Sequence, residues 1–223
     1  MRSCCAVFQR QFRREVLTRI REPRSVIHTL LFFIMMLFFF PLSFTASPET
    51  LHELAPGLIW IALLFAALLS SEGLFQRAFE EGVLEQAYLS GESMVAMILA
   101  ALCVQFCCIV LPVVLLCPLI GALFAFTPYE VGLFILSLLC GAPALFGLTA
   151  LAGALGVGRI QKEMVTALLV LPLTVPIMIF GSAVMHAPHQ GLGLLALLLV
   201  CSLLVEGLLP FAIVAILKLR LGD

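Results

Sequence analysis

From Met94 to Phe126 the chain carries no charged side chain for 33 residues, and from Met164 to Val205 it carries none for 42. Few folds accept such runs. As one straight helix, 42 residues extend about 63 Å, roughly twice the hydrocarbon thickness of a bilayer. The second run must therefore turn back, and His186-Ala187-Pro188-His189-Gln190 is the polar break within it. Over the whole chain of 223 residues, 63% are hydrophobic and 11% charged. A soluble domain is nearer half apolar and a quarter charged. A water-soluble fold of this size has too little interior to hide that much apolar surface. Lipid must cover it.

Spanning the hydrocarbon takes roughly 20 apolar residues as a helix. Runs of that kind predict six spans, at about 26–44, 54–71, 94–117, 131–157, 164–184 and 191–217. The expected fold class is an all-α polytopic membrane protein, with residues 1–223 forming one transmembrane domain. Pro112, Pro118 and Gly121 are expected to kink or end the third helix, and Gly141, Pro143 and Gly147 to break the fourth. Ala62, Ala66 and Ser70 form a small-x-x-x-small series that suits close approach by another helix.

The basic residues test this threading, because cytoplasmic loops collect Lys and Arg. Seven arginines lie between Arg2 and Arg24, followed by Arg77, Arg159, Lys162, Lys218 and Arg220. With six spans all twelve fall on one side. The other side receives Glu49, Glu53, Glu130, His52, His186 and His189. Both termini are therefore expected in the cytoplasm. The alternative, a cleaved secretory signal ending at Thr45-Ala46-Ser47, asks for a shorter apolar core and a shorter leader than these.

Two segments are not spans. In the leader, 1–24, Phe8, Phe12, Val16 and Ile20 recur every fourth residue among arginines. That pattern predicts a helix lying in the interface, its cationic side toward anionic lipid headgroups. The plainer alternative is a disordered positive leader that only sets topology. The second segment, 72–93, holds Glu72, Glu80, Glu81, Glu85 and Glu92 above an apolar face of Leu74, Phe75, Ala78 and Phe79. Gly82 interrupts it, and Leu84 and Tyr88 continue a second short amphipathic piece. It reads either as a solvated acidic face or as a docking surface for a cytoplasmic partner.

Glu81-Gly82-Val83-Leu84-Glu85-Gln86 resembles the stretch between the second and third spans of ABC-2-type transporter permeases. Three further stretches narrow the resemblance: Phe40-Pro41-Leu42-Ser43, the ten residues from Ala55 to Leu64, and the eleven from Val170 to Phe180. In this order the four motifs resemble the haem exporter B permeases of bacterial cytochrome c maturation, from about residue 8 to the C-terminus. The resemblance implies an inner-membrane permease subunit for haem export or delivery. It implies a cytoplasmic ATP-binding cassette partner coupled through Glu81, Gly82, Leu84, Glu85 and Gln86. It also implies a second copy of the chain, a haem-handling membrane protein and a small accessory subunit. Haem would be cargo and ATP would act through the partner, so no cofactor is assigned to this chain.

The residues themselves leave other readings open. There is no G-x-x-x-x-G-K-[ST], and Gly153, Gly156 and Gly158 read as close helix packing. No G-x-S-x-G or other nucleophile–base constellation supports an intramembrane hydrolase. An ABC-2 permease for a lipid, drug or polysaccharide stays an alternative. The net charge of −1 points to no nucleic acid. Eight cysteines without C-x-x-C or Cys/His spacing read as small packing groups, with no metal site. Haem ligation is open at His52, His186 and His189, around which the sequence places no aromatic cluster. Glu206 is the one acid within a predicted span, followed by the helix-loosening Gly207 and Pro210. Intramembrane carboxylates commonly serve function, while local unwinding could instead hydrate this one.

Overall fold

The computed structural model describes residues 4–21, 23–43, 47–71, 74–90, 93–157, 162–186 and 191–221. Side chains are described from Val7 onward, in the eighth helix from Val170, and in the last helix up to Leu219. The elements are α1 (Cys4–Arg21), α2 (Arg24–Ser43), α3 (Pro48–Ser71), α4 (Gln76–Glu80) and α5 (Val83–Leu89). They continue as α6 (Met94–Leu123), α7 (Pro128–Leu155), α8 (Lys162–His186) and α9 (Gly191–Leu221).

Among the described residues, α2, α3, α6, α7 and α9 are long and apolar enough to cross a bilayer. α8 is 25 residues long, about 37 Å at 1.5 Å per residue, and is apolar over Val170–His186, where its side chains are described. The molecule is thus a polytopic helical membrane protein. Its outward faces carry Leu31, Met35, Leu42, Leu115, Leu192 and Leu208 well exposed, the surface that lipid covers.

Two helices correct the boundaries expected from sequence. α6 runs unbroken through Pro112, Pro118 and Gly121 to Leu123, and α7 runs through Gly141, Pro143 and Gly147 to Leu155. Proline removes one backbone donor, and in an apolar setting the continuing helix still satisfies more backbone groups than a break would. True ends occur where capping chemistry is available. The Ser93 hydroxyl accepts from the Ala96 amide at 3.4 Å, and Thr127 with Glu130 forms a complete capping box ahead of α7. α6 closes with Ala125 at φ 55 and the Phe126 amide bonded to the Gly121 carbonyl at 2.8 Å.

The main core gathers around α3. Trp60 is wholly buried, and a Cβ on Gly141 of α7 would lie 2.7 Å from its ring. The ring also lies against Gly181 of α8. Ala62, Ala66 and Ser70 are buried as their spacing predicts, and the Gln105 side-chain amide of α6 donates to the Ser70 hydroxyl at 3.1 Å. Ser137 donates to the Gly181 carbonyl at 2.8 Å, and Ser202 bonds the Cys140 carbonyl. Of the glycines expected at close contacts, Gly153 meets the Ser71 carbonyl, and Gly158 lies outside the described residues. Cys117 is buried, whereas Cys103 and Cys107 are exposed on the flank of α6.

A second, smaller core closes the end of the bundle where α4 and α5 lie. Phe75, Leu84 and Ala87 pack there with Met94, Met97 and Ile98 of α6, Ala150 and Ala154 of α7, and Ile213 and Leu217 of α9.

Candidate functional site

The α4–α5 segment is an elbow on an apolar footing. Gly82 takes φ +68, a left-handed conformation that suits glycine, and so turns α4 directly into α5. Its amide donates to the Phe79 carbonyl at 3.1 Å, and its own carbonyl accepts from Gln86 at 3.0 Å. Below the turn Phe75, Leu84 and Ala87 enter the second core. Above it Glu80, Glu81, Glu85, Gln86, Tyr88 and Leu89 are exposed. Leu84 therefore stands apart from the other residues of its motif: it anchors the elbow from inside.

Charges tie the elbow to its surroundings. Arg14 Nη2 of α1 lies 3.8 Å from Glu81 Oε2, both side chains about half exposed. Gln76 donates to Glu80 at 2.6 Å along α4. The Lys218 ammonium of α9 sits 5.7 Å from the centre of the Tyr88 ring, within cation–π range. Neither Arg14 nor Lys218 could be assigned to this site from sequence, because each comes from a helix remote in the chain.

α1 is helical, as its periodicity predicts, and packs along α6. Val7 is buried, Phe8 and Phe12 stack at 6.0 Å, and Leu17 and Ile20 remain exposed beside the arginines.

The other end of the bundle holds His52 and His186. His52 Nδ1 is 3.0 Å from the Phe124 carbonyl and Nε2 is 3.4 Å from Glu130. His186 Nδ1 is 3.1 Å from the Ser182 carbonyl and Nε2 is 2.9 Å from the Glu53 carbonyl. All four ring nitrogens thus face oxygens, and binding iron would require releasing one of them. His189 lies outside the described residues. The sequence reading missed an aromatic pair here: Phe126 meets His52 edge-on at 5.1 Å and stacks with Phe124 at 6.1 Å. The signal was Phe124-Ala125-Phe126 directly before the Thr127-Pro128 cap.

Glu206 lies fifteen residues into α9, about 22 Å from Gly191 at the usual helical rise. It is half-buried, and a Cβ on Gly147 of α7 would be 3.5 Å from its Oε1. The carboxyl occupies the seam between α7 and α9.

The sequence profile of the CcmB protein family matches residues 5–220. The chain belongs to the CcmB family. Among curated relatives of this CcmB member, the heme exporter protein B of Pseudomonas aeruginosa is 37% identical over 220 residues, covering 97% of this chain and 99% of that protein. The protein of the same name from Haemophilus influenzae is 34% identical over 223 residues, covering 97% and 100%. That of Escherichia coli K12 is 35% identical over 218 residues, covering 96% and 99%. The family match spans every long helix of this CcmB chain together with its elbow.

Proposed function

We propose that this chain is the membrane-spanning subunit of an ABC-type haem exporter serving c-type cytochrome assembly in a bacterial inner membrane. In this reading α8 also crosses the bilayer, as the fifth of six spans in chain order, and both termini are cytoplasmic. The elbow then faces the cytoplasm, and Glu81, Gly82, Glu85 and Gln86 meet a separate ATP-hydrolysing subunit while Leu84 passes the motion inward. A second copy of the chain, a haem-handling membrane protein and a small accessory subunit complete the assembly. Haem is the cargo and ATP acts through the partner.

The observation that carries this reading is the construction of the elbow. It presents exposed carboxylates on a turn whose apolar side is rooted in α6, α7 and α9. A push on it reaches three long helices through packed side chains, which move as units rather than deforming smoothly. The names of the relatives support haem as the cargo.

The test has two arms. Reversing Glu81 and Glu85 to Lys should sharply lower recovery of the ATPase in a pull-down at normal membrane levels of this chain, since charges at a rim steer association. A strain lacking the chain should lose covalent haem bands on a denaturing gel while keeping b-type cytochromes. Persistent bands, with no second gene copy, would rule out haem and leave a permease for another substrate.

A further inference from the structure

α1 and α5 flank a half-open cleft of about 340 Å³. Arg10 and Arg14 line it from α1, Gln86 from α5 and Ser90 from the C-cap of α5, with Met97 of α6. A second, open depression of about 360 Å³ on α1 shares Arg10 and Arg14 with it and adds Arg13 and Arg21. Leu17 lines that depression, and Ile20 is exposed one turn on.

A ligand for this surface must be anionic beside the arginines that line it and apolar beside Leu17 and Ile20. Placement narrows it further. α1 ends at Arg21 and the apolar α2 begins at Arg24, so this stretch adjoins the boundary of the hydrocarbon layer. Phospholipid is the molecule that presents phosphate and acyl chain together at that depth. The Arg14–Glu81 pair is long and half exposed, so its net strength is small. A phosphodiester offers Arg14 a bidentate partner instead.

We propose that the α1–α5 cleft seats the headgroup of an anionic phospholipid, with Arg10 and Arg14 on its phosphate, in competition with Glu81 for Arg14. The headgroup hydroxyls meet Gln86 and Ser90, and the acyl chain lies along Leu17 and Ile20. Lipid occupancy then frees the Glu81 carboxylate. The site stands on this chain alone, so its failure leaves the ATPase reading untouched.

The test is native mass spectrometry of the purified full chain in detergent, titrated with phosphatidylglycerol, phosphatidylcholine or inorganic phosphate. Phosphatidylglycerol should bind roughly tenfold or more tighter than phosphatidylcholine. Arg10→Gln with Arg14→Gln should erase the preference, and Arg10→Lys with Arg14→Lys should keep most of it. Arg24→Gln with Arg77→Gln removes equal charge from the same end and should leave it intact. Glu81→Gln should tighten binding by removing the competitor. Should the arginine variant misfold, Ser90→Trp fills the cleft and should abolish the preference by itself. Equal affinity for both lipids, or equal loss in the two charge-matched variants, overturns the site. Displacement of the lipid by millimolar inorganic phosphate overturns the lipid assignment, and unchanged binding in Glu81→Gln overturns the competition.

Discussion

Trp60 of α3 lies against the bare backbone of Gly181 of α8, with no room between them for a Cβ. The indole is wholly buried, so it has nowhere to withdraw. Gly181→Ala should destabilise the protein by about 1–3 kcal/mol through overpacking. Gly132→Ala, where the Cβ meets open space, should instead stabilise by about 0.5–1 kcal/mol through helix propensity. Thermal unfolding of the two variants in the same detergent should move in opposite directions. A shared direction would mean that the Trp60–Gly181 contact does not constrain the bundle.

Ala125 makes the opposite prediction. It ends α6 in the left-handed region, φ 55, where a Cβ is strained. Ala125→Gly should raise stability by about 1 kcal/mol, although glycine usually weakens a chain. Loss of stability on that change would show that the Ala125 methyl contributes packing that exceeds the strain.

His52 and Glu130 invite a double-mutant cycle. Their 3.4 Å contact is partly exposed, so under mildly acidic conditions that protonate an imidazole a coupling of about 0.5 kcal/mol is expected, shrinking at high salt. Glu130→Ala should cost more than the coupling alone, because it also breaks the capping box with Thr127, worth about 1 kcal/mol. A cycle giving zero coupling at low salt would remove His52 from the forces that join α3 to α7.

Topology can be read directly in a cysteine-free background. Single cysteines at Glu53 and Thr127 should react with an impermeant thiol reagent added outside intact cells. One at Glu85 should react only after the membrane is opened. Labelling of Glu85 from outside would reverse the orientation proposed for the elbow.

Much of this is written in the sequence. The uncharged runs that became long apolar helices are set by transfer free energies, which depend on composition along the chain and hardly on neighbours. The same holds for Gly82, whose left-handed turn is a local backbone property. Helix continuation through Pro112 and Pro143 was not legible, because in an apolar setting the penalty for breaking a helix depends on what surrounds it. Leu84 and Glu85 are neighbours in one motif, yet only packing sent the first inward and left the second exposed. Arg14 meets Glu81, and His52 meets Glu130, through contacts between helices separated by scores of residues. Sequence determined which stretches belong in lipid, because that preference is summed residue by residue. Tertiary structure alone decided which polar side chains meet at the two ends of the bundle, because each such contact needs two helices already packed in register.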